Sequence, residues 1–171
     1  EEYLTSLRQR QLSLFVRGER VADPVSHPLI APSIRTVSES YRLAQKPEFR
    51  DVFTAHSRFI NARVNRFTHI FEAPDDLHKK QEMQRTLGKV TGTCFQRCVG
   101  MDALNAVYNV TFEMGAASDQ QYHPRFLDYL RMIQREDLMV CGAMTDAKGD
   151  RRKGPDAQPD MYLRVVERRP Q

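Results

Sequence analysis

No run of apolar residues in this sequence approaches the roughly 20 that a membrane-spanning helix needs. No basic opening followed by an apolar stretch marks a secretory signal either, since the chain begins Glu1-Glu2. Cysteine is scarce, with three in 171 residues, an odd number. Without secretory features, that count excludes the disulfide framework of a small extracellular domain. Internal repeats and low-complexity tracts are missing as well. These absences predict a cytoplasmic chain with no membrane association. Its length suits one ordinary domain, and 40% hydrophobic with 28% charged residues is a globular composition.

Concentrated positive charge is also lacking. The 26 basic residues exceed the 22 acidic ones by four, but the densest runs are short: Lys79-Lys80, Arg151-Arg152-Lys153 and Arg168-Arg169. Aromatic and basic residues do not interleave as they do in a single-strand binding face. Nucleic acid is therefore not expected as a partner. A phosphate-bearing cofactor or an acidic partner domain accounts for the excess equally well.

What is present is mainly helical patterning. Residues 2–10 read as a short helix with Tyr3, Leu4 and Leu7 on one side, and residues 12–21 as a β-hairpin turning at Arg17-Gly18-Glu19. Pro24, Pro28 and Pro32 suggest an extended stretch, with a helix from near Ile34 to before Pro47. Residues 51–71 read as mostly helical. Pro74-Asp75-Asp76 opens another helix, its carboxylates placed where the macrodipole favours them. The following helix carries an apolar stripe of Phe95, Val99, Ala103, Ala106, Val110 and Met114, which is assigned to the core. Cys94, Cys98, Met101, Asp102 and Asn105 lie on a neighbouring, more polar stripe. Residues 122–138 form a last amphipathic helix with Phe126, Leu130 and Ile133 inward. A helical domain over residues 1–155 is expected, then a linker and a strand at residues 161–167 that reads as the first of an absent β domain.

The densest chemistry lies in Cys94-Phe95-Gln96-Arg97-Cys98, continuing Val99-Gly100-Met101-Asp102-Ala103. Residues i and i+4 of a helix share a face, with Cβ atoms roughly 5–6 Å apart. That is too wide for a disulfide but suited to two thiolates on one metal centre. Two thiolates supply half the protein ligands of a zinc site or iron–sulfur cluster. Spacing alone favours the plainer reading, in which the cysteines are small buried apolar side chains.

These residues resemble the N-terminal part of the 4-hydroxybutyryl-CoA dehydratases, which are also vinylacetyl-CoA Δ-isomerases. They form a branch of the 4-hydroxyphenylacetate 3-hydroxylase flavoprotein family. The resemblance runs from Tyr3-Leu4-Thr5-Ser6-Leu7 through Gly18-Glu19-Arg20, His27-Pro28 and Asp75-Asp76-Leu77 to the terminal strand. The Cys94–Cys98 segment is similar to the dehydratase cluster-binding segment, whereas the hydroxylases are similar around the Arg and Asp but lack the cysteines. Ala143-Met144-Thr145-Asp146-Ala147-Lys148-Gly149-Asp150-Arg151 is similar to the flavin-contacting loop, with Ala147 where the family usually has proline.

The resemblance implies a mainly α fold, the helical N-terminal domain of an acyl-CoA dehydrogenase-like flavoprotein. It implies FAD and a 4Fe–4S cluster as cofactors of the complete enzyme, with Cys94 and Cys98 as cluster ligands. Met144, Thr145, Asp146, Ala147, Lys148, Gly149, Asp150 and Arg151 would contact the flavin. Gln96 is an auxiliary catalytic candidate, but Thr93-x-x-Gln96 is also a capping box in which Gln96 bonds back to its own backbone. Arg97 could meet a phosphate or carboxylate, or form an ordinary salt bridge. His27, His56, His69, His78, His123 and Cys141 match no ligand position.

The implied reaction is dehydration of 4-hydroxybutyryl-CoA to crotonyl-CoA by a flavin radical route, in which one electron passes to the flavin and returns. The cluster gives Lewis-acid help to the departing hydroxyl. The family's chain is about three times longer, and its remaining cluster ligands lie outside these 171 residues, so this chain alone is expected to be inactive. The implied partners are an acyl-CoA substrate, the remaining domains of the parent chain and further copies in a tetramer. Two alternatives remain: the N-terminal domain of a flavin-dependent 4-hydroxyphenylacetate 3-hydroxylase-type monooxygenase, and a non-catalytic helical assembly module.

Overall fold

In the computed structural model, the described residues are 1–10, 12–92, 97–117, 121–142, 150 and 152. Six helices and two small antiparallel hairpins follow one another among them: α1 (Glu2–Gln9), β1 (Phe15–Val16), β2 (Glu19–Arg20), α2 (Ala31–Gln45), α3 (Arg50–Phe53), β3 (Thr54–Ser57), β4 (Ala62–Asn65), α4 (Pro74–Thr91), α5 (Arg97–Ala117) and α6 (Tyr122–Arg135). The mainly α architecture agrees with the sequence expectation. None of the described helices is long and apolar enough to cross a membrane. The strand expected at residues 161–167 lies outside the described residues.

Local chemistry explains most element boundaries. The first hairpin turns at Arg17-Gly18, both at positive φ, where the glycine carries no Cβ penalty. Helix α2 starts at Ala31, earlier than the prolines suggested. Pro32 sits in the first turn, where a missing N–H costs nothing. Helix α4 begins at Pro74, and Asp76 accepts the backbone N–H groups of Glu72 (2.9 Å) and Ala73 (3.2 Å). It ends on Gly92 at φ 68°, a left-handed cap.

Residues 51–71 depart from the helical expectation. After the single turn of α3, β3 pairs with β4 in the register Thr54↔Asn65, Ala55↔Val64, His56↔Arg63 and Ser57↔Ala62. Asn61, at φ 50°, makes the connecting turn. The inward face of β3 consists of Ala55 and Ser57. Small side chains there leave no alternating bulky pattern to read, and the flanking Val52, Phe53, Val64 and Phe67 mimic helical spacing.

Two apolar clusters fill the interior. One gathers Leu43, Phe53, Phe67, Met83, Leu87 and Met101, joining α2, α3, α4 and α5. The other gathers Ile70, Leu104, Phe126, Leu130 and Ile133 between α5 and α6. Gln134 of α6 is buried with both ends of its amide satisfied, accepting from Ser57 Oγ (2.7 Å) and donating to the Thr68 carbonyl (2.8 Å).

The core assignment of α5 is corrected. Met101 and Leu104 are buried, while Ala103, Ala106, Val107, Val110 and Met114 face solvent. The stripe that carries Cys98 is the one packed inward. Helix α5 is apolar on both sides, so periodicity could not choose between them.

Candidate functional site

Cys98 occupies the first turn of α5, half-buried and packed against the Leu43–Met101 cluster. Helix dipoles favour anionic groups at this end. Cys94 and Gln96 lie outside the described residues. So do Met144, Thr145, Asp146, Ala147, Lys148, Gly149 and Arg151 of the expected flavin loop. Asp150 is described and forms a local pair with Arg152, whose Nε and Nη2 donate to the carboxylate at 2.9 and 3.0 Å. That pairing holds the Asp150 pKa below its ordinary value. Cys141 is exposed. No group of three or more His, Cys, Asp or Glu side chains is gathered to hold a metal among the described residues.

The first turn of α5 and the approach to the expected flavin loop are brought together by two glycines. A Cβ on Gly100 would stand 2.0 Å from the Val140 carbonyl oxygen, and one on Gly142 would stand 2.3 Å from Val99 Cγ1. Each glycine thus receives the other segment's valine. This reciprocal contact flanks Cys98 directly and delivers the chain to residue 142, one position before Ala143. Val99-Gly100 and Val140–Gly142, about 40 residues apart in sequence, therefore meet at one end of α5.

A buried polar network that the sequence did not announce lies on the far side of residues 66–71, which contact α5 at Asn105. Arg66, only 2% exposed, donates Nε to the Val52 carbonyl (2.7 Å) and Nη2 to the carbonyls of Asp51 (2.9 Å) and Thr54 (2.8 Å). Its Nη1 donates to Asp76 Oδ1 at 3.0 Å, and His69 Nε2 lies 3.2 Å from the same oxygen. Burial lowers the His69 pKa, with the Asp76 carboxylate opposing the shift, so the ring is neutral near pH 7. Burial pulls the Asp76 pKa upward, but the N–H groups of Glu72 and Ala73, His69 and Arg66 outweigh it and leave it lowered. A lone Arg within Val64-Asn65-Arg66-Phe67 was the only sequence signal for this network.

The network fixes residues 66–71, and these in turn hold α5. Asn105 accepts from the Phe71 N–H at 2.8 Å and donates to the His69 carbonyl at 3.2 Å and to the Met101 carbonyl at 2.9 Å. Lys80 of α4 pairs with Asp102, and its ammonium lies 5.6 Å from the Phe71 ring centroid. A surface cleft of about 680 Å³, lined by Tyr41, Gln45, Arg50, Arg63 and Asn65 among others, contains none of the expected site residues.

Known proteins match along the whole chain. The family described as 4-hydroxyphenylacetate 3-hydroxylase N terminal covers residues 1–171. The 4-hydroxybutyryl-CoA dehydratase/vinylacetyl-CoA-Δ-isomerase of Clostridium aminobutyricum is 48% identical over 171 residues, covering 99% of this chain and 35% of that protein. The oxygenase component of 4-hydroxyphenylacetate 3-monooxygenase from Thermus thermophilus is 28% identical over 168 residues. Among solved structures, an oxygen-tolerant archaeal 4-hydroxybutyryl-CoA dehydratase from N. maritimus superposes with a TM-score of 0.83 at 48% identity, covering 98% of this chain and 34% of that one. An oxygenase component of 4-hydroxyphenylacetate 3-monooxygenase, complexed with FAD and 4-hydroxyphenylacetate, gives a TM-score of 0.66 at 25% identity. The chain spans about a third of the length of these relatives. With its helical fold and its full-length match, the chain belongs to the 4-hydroxyphenylacetate 3-hydroxylase family, as that family's N-terminal region.

Proposed function

We propose that this chain is the N-terminal helical portion of a dehydratase that converts 4-hydroxybutyryl-CoA to crotonyl-CoA and isomerises vinylacetyl-CoA, using FAD and a 4Fe–4S cluster. The observation that carries the reading is the convergence at the start of α5, where the Gly100–Val140 and Val99–Gly142 contacts join the cysteine turn to the approach of the Ala143–Arg151 segment. Those contacts close a cradle with no room for a Cβ. The 48% identity with two dehydratases supports the same assignment.

The residues present fit the implied groups in kind. Cys98 offers a soft thiolate donor, the type that iron–sulfur clusters take. Cys94 is its sequence partner, and together they make half a ligand set. When bound, the flavin and cluster supply one-electron and Lewis-acid chemistry.

The protein's own contribution is placement. Helix α5 holds Cys98 against a packed core, so the thiol has little freedom to swing. The chain is carried to Gly142 beside α5, and the segment Met144–Arg151 that follows in sequence would offer backbone, hydroxyl and cationic groups to the flavin ring and its phosphates. Gln96 would stand beside the substrate. The solvent-facing apolar side of α5 supports a parent chain or further copies covering it. A cytoplasmic homo-oligomer accompanies this reading.

The test uses the full-length parent protein, purified without oxygen and assayed for FAD, iron, acid-labile sulfide and crotonyl-CoA formation. All four are expected. FAD without iron, together with oxygen-dependent hydroxylation of a phenol, would mean the monooxygenase branch instead. The 171-residue chain given iron, sulfide and FAD is expected to show no turnover, because hydrogen bonds of about 0.5–1.5 kcal/mol net each cannot hold a cofactor from one side. Appreciable turnover by that chain would contradict the half-site.

A further inference from the structure

The cysteine turn needs more than apolar packing to set its height and rotation. Met101 and Leu104 anchor α5 by shape alone, and non-directional contacts tolerate small slides and turns of a helix. Directional contacts at the Lys80–Asp102 pair are exposed, with Asp102 more than half accessible, and such pairs constrain little. Asn105 is different. It sits seven residues beyond Cys98, hence two helical turns along the same face and about 10 Å away along the axis. Its carboxamide is engaged on both ends. The acceptor takes the Phe71 N–H, and the donor reaches the His69 and Met101 carbonyls. One amide orientation satisfies both the N–H and the C=O of the 69–71 segment.

That segment is itself immobile ground. Ile70 is buried, His69 is held by Asp76, and Asp76 is held by the almost inaccessible Arg66, which grips three carbonyls around α3. An uninterrupted series of hydrogen bonds therefore runs from the α3 carbonyls through Arg66, Asp76 and His69 to α5. We infer that Asn105 is a positioning residue for Cys98. It fixes the rotation and axial height of α5, so that the thiolate reaches its metal with the small tolerance that ligation allows, about 0.2 Å. Asn105 is two turns from that thiolate and acts only through the helix. The inference rests on the reading of Cys98 as a cluster ligand, and the variants below separate the two.

In the full-length protein, Asn105→Ala, Asn105→Asp, Cys98→Ser and the control Ser57→Ala are compared by iron content, the electron paramagnetic resonance signature and midpoint potential of the cluster, and kcat and KM. Ser57→Ala removes a buried hydrogen bond to Gln134, which reaches the Thr68 carbonyl but makes no bond to α5 among those of Asn105. Asn105→Ala is expected to keep its FAD, shift the cluster's signature and potential, and lower kcat roughly 10–100-fold with little change in KM. Asn105→Asp keeps an acceptor for the Phe71 N–H but turns an oxygen onto the His69 and Met101 carbonyls, so it shows a shift at least as large. Ser57→Ala should lower the melting temperature and leave the signature alone. A wild-type signature in both Asn105 variants, or an equal shift in Ser57→Ala, overturns the positioning role while Cys98→Ser still loses iron. An intact cluster in Cys98→Ser overturns the ligand assignment and the inference with it.

Discussion

Helices α5 and α6 pack against each other but close the molecule differently. Phe126, Leu130 and Ile133 of α6 are all buried, and its outer side mixes Asp128, Arg131 and Arg135 with exposed Tyr129 and Met132. Helix α5 buries Met101 and Leu104, yet leaves Val110 and Phe112 more than half exposed. Helix α6 buries a continuous apolar stripe within these residues. The other is apolar on both faces, a pattern of helices covered on both sides, and its exposed apolar residues, Val107 to Met114, lie towards the end away from Cys98.

Substitutions can sharpen that contrast. Leu130→Ala should cost about 2–5 kcal/mol, because a fully buried leucine leaves both lost transfer energy and a cavity. Urea unfolding of the 171-residue chain measures it. In the same chain Val110→Ala should stay within about 0.5 kcal/mol, as an exposed site does. In the parent protein it should cost clearly more, and equal costs in both contexts would show that nothing covers the α5 face.

The next effect concerns the cysteine end alone. Gly100→Ala should destabilise by about 1–3 kcal/mol, since the new methyl must displace the Val140 backbone. Gly88→Ala in α4 meets nothing within 4 Å and should instead stabilise by about 0.5–1 kcal/mol. Opposite signs from two glycine-to-alanine changes are the expected signature. A neutral Gly100→Ala would remove the close approach on which the convergence depends.

The smallest effect is a slope. The folded pKa of His69 lies below its unfolded value of about 6.5. The unfolded chain therefore binds the proton more readily, and stability falls as pH drops from near 6.5 towards the folded pKa. His69→Gln should flatten this dependence in urea midpoints taken between about pH 5 and 7.5, while a slope unchanged by the substitution would place the titrating group elsewhere.

Legibility followed how much each element depends on its own residues. The Arg17-Gly18 turn, the Pro74-Asp75-Asp76 start and the Phe126/Leu130/Ile133 stripe are local signals, and all three match the fold. The β3–β4 hairpin was hidden because Ala55 and Ser57 carry its inner face. The inward face of α5 was misread because the periodicity of an all-round apolar helix names no side. Cys98 was visible as part of a motif. Its nearness to the Val140–Gly142 stretch was not, because that arises from two missing Cβ atoms and a packing of segments far apart in sequence. The Arg66–Asp76–His69 network was equally hidden, since buried charge leaves no periodic mark.

The half-site proposed at the start of α5 is tested most directly by iron content in the parent protein carrying Cys98→Ser beside Cys141→Ser. Cys98 lies in the packed first turn, and Cys141 is exposed. Cys98→Ser should lose most of its iron and all dehydration, with Cys141→Ser retaining both near the wild-type level. Equal iron loss in the two variants, or full iron in Cys98→Ser, would contradict the assignment of Cys98 as a ligand.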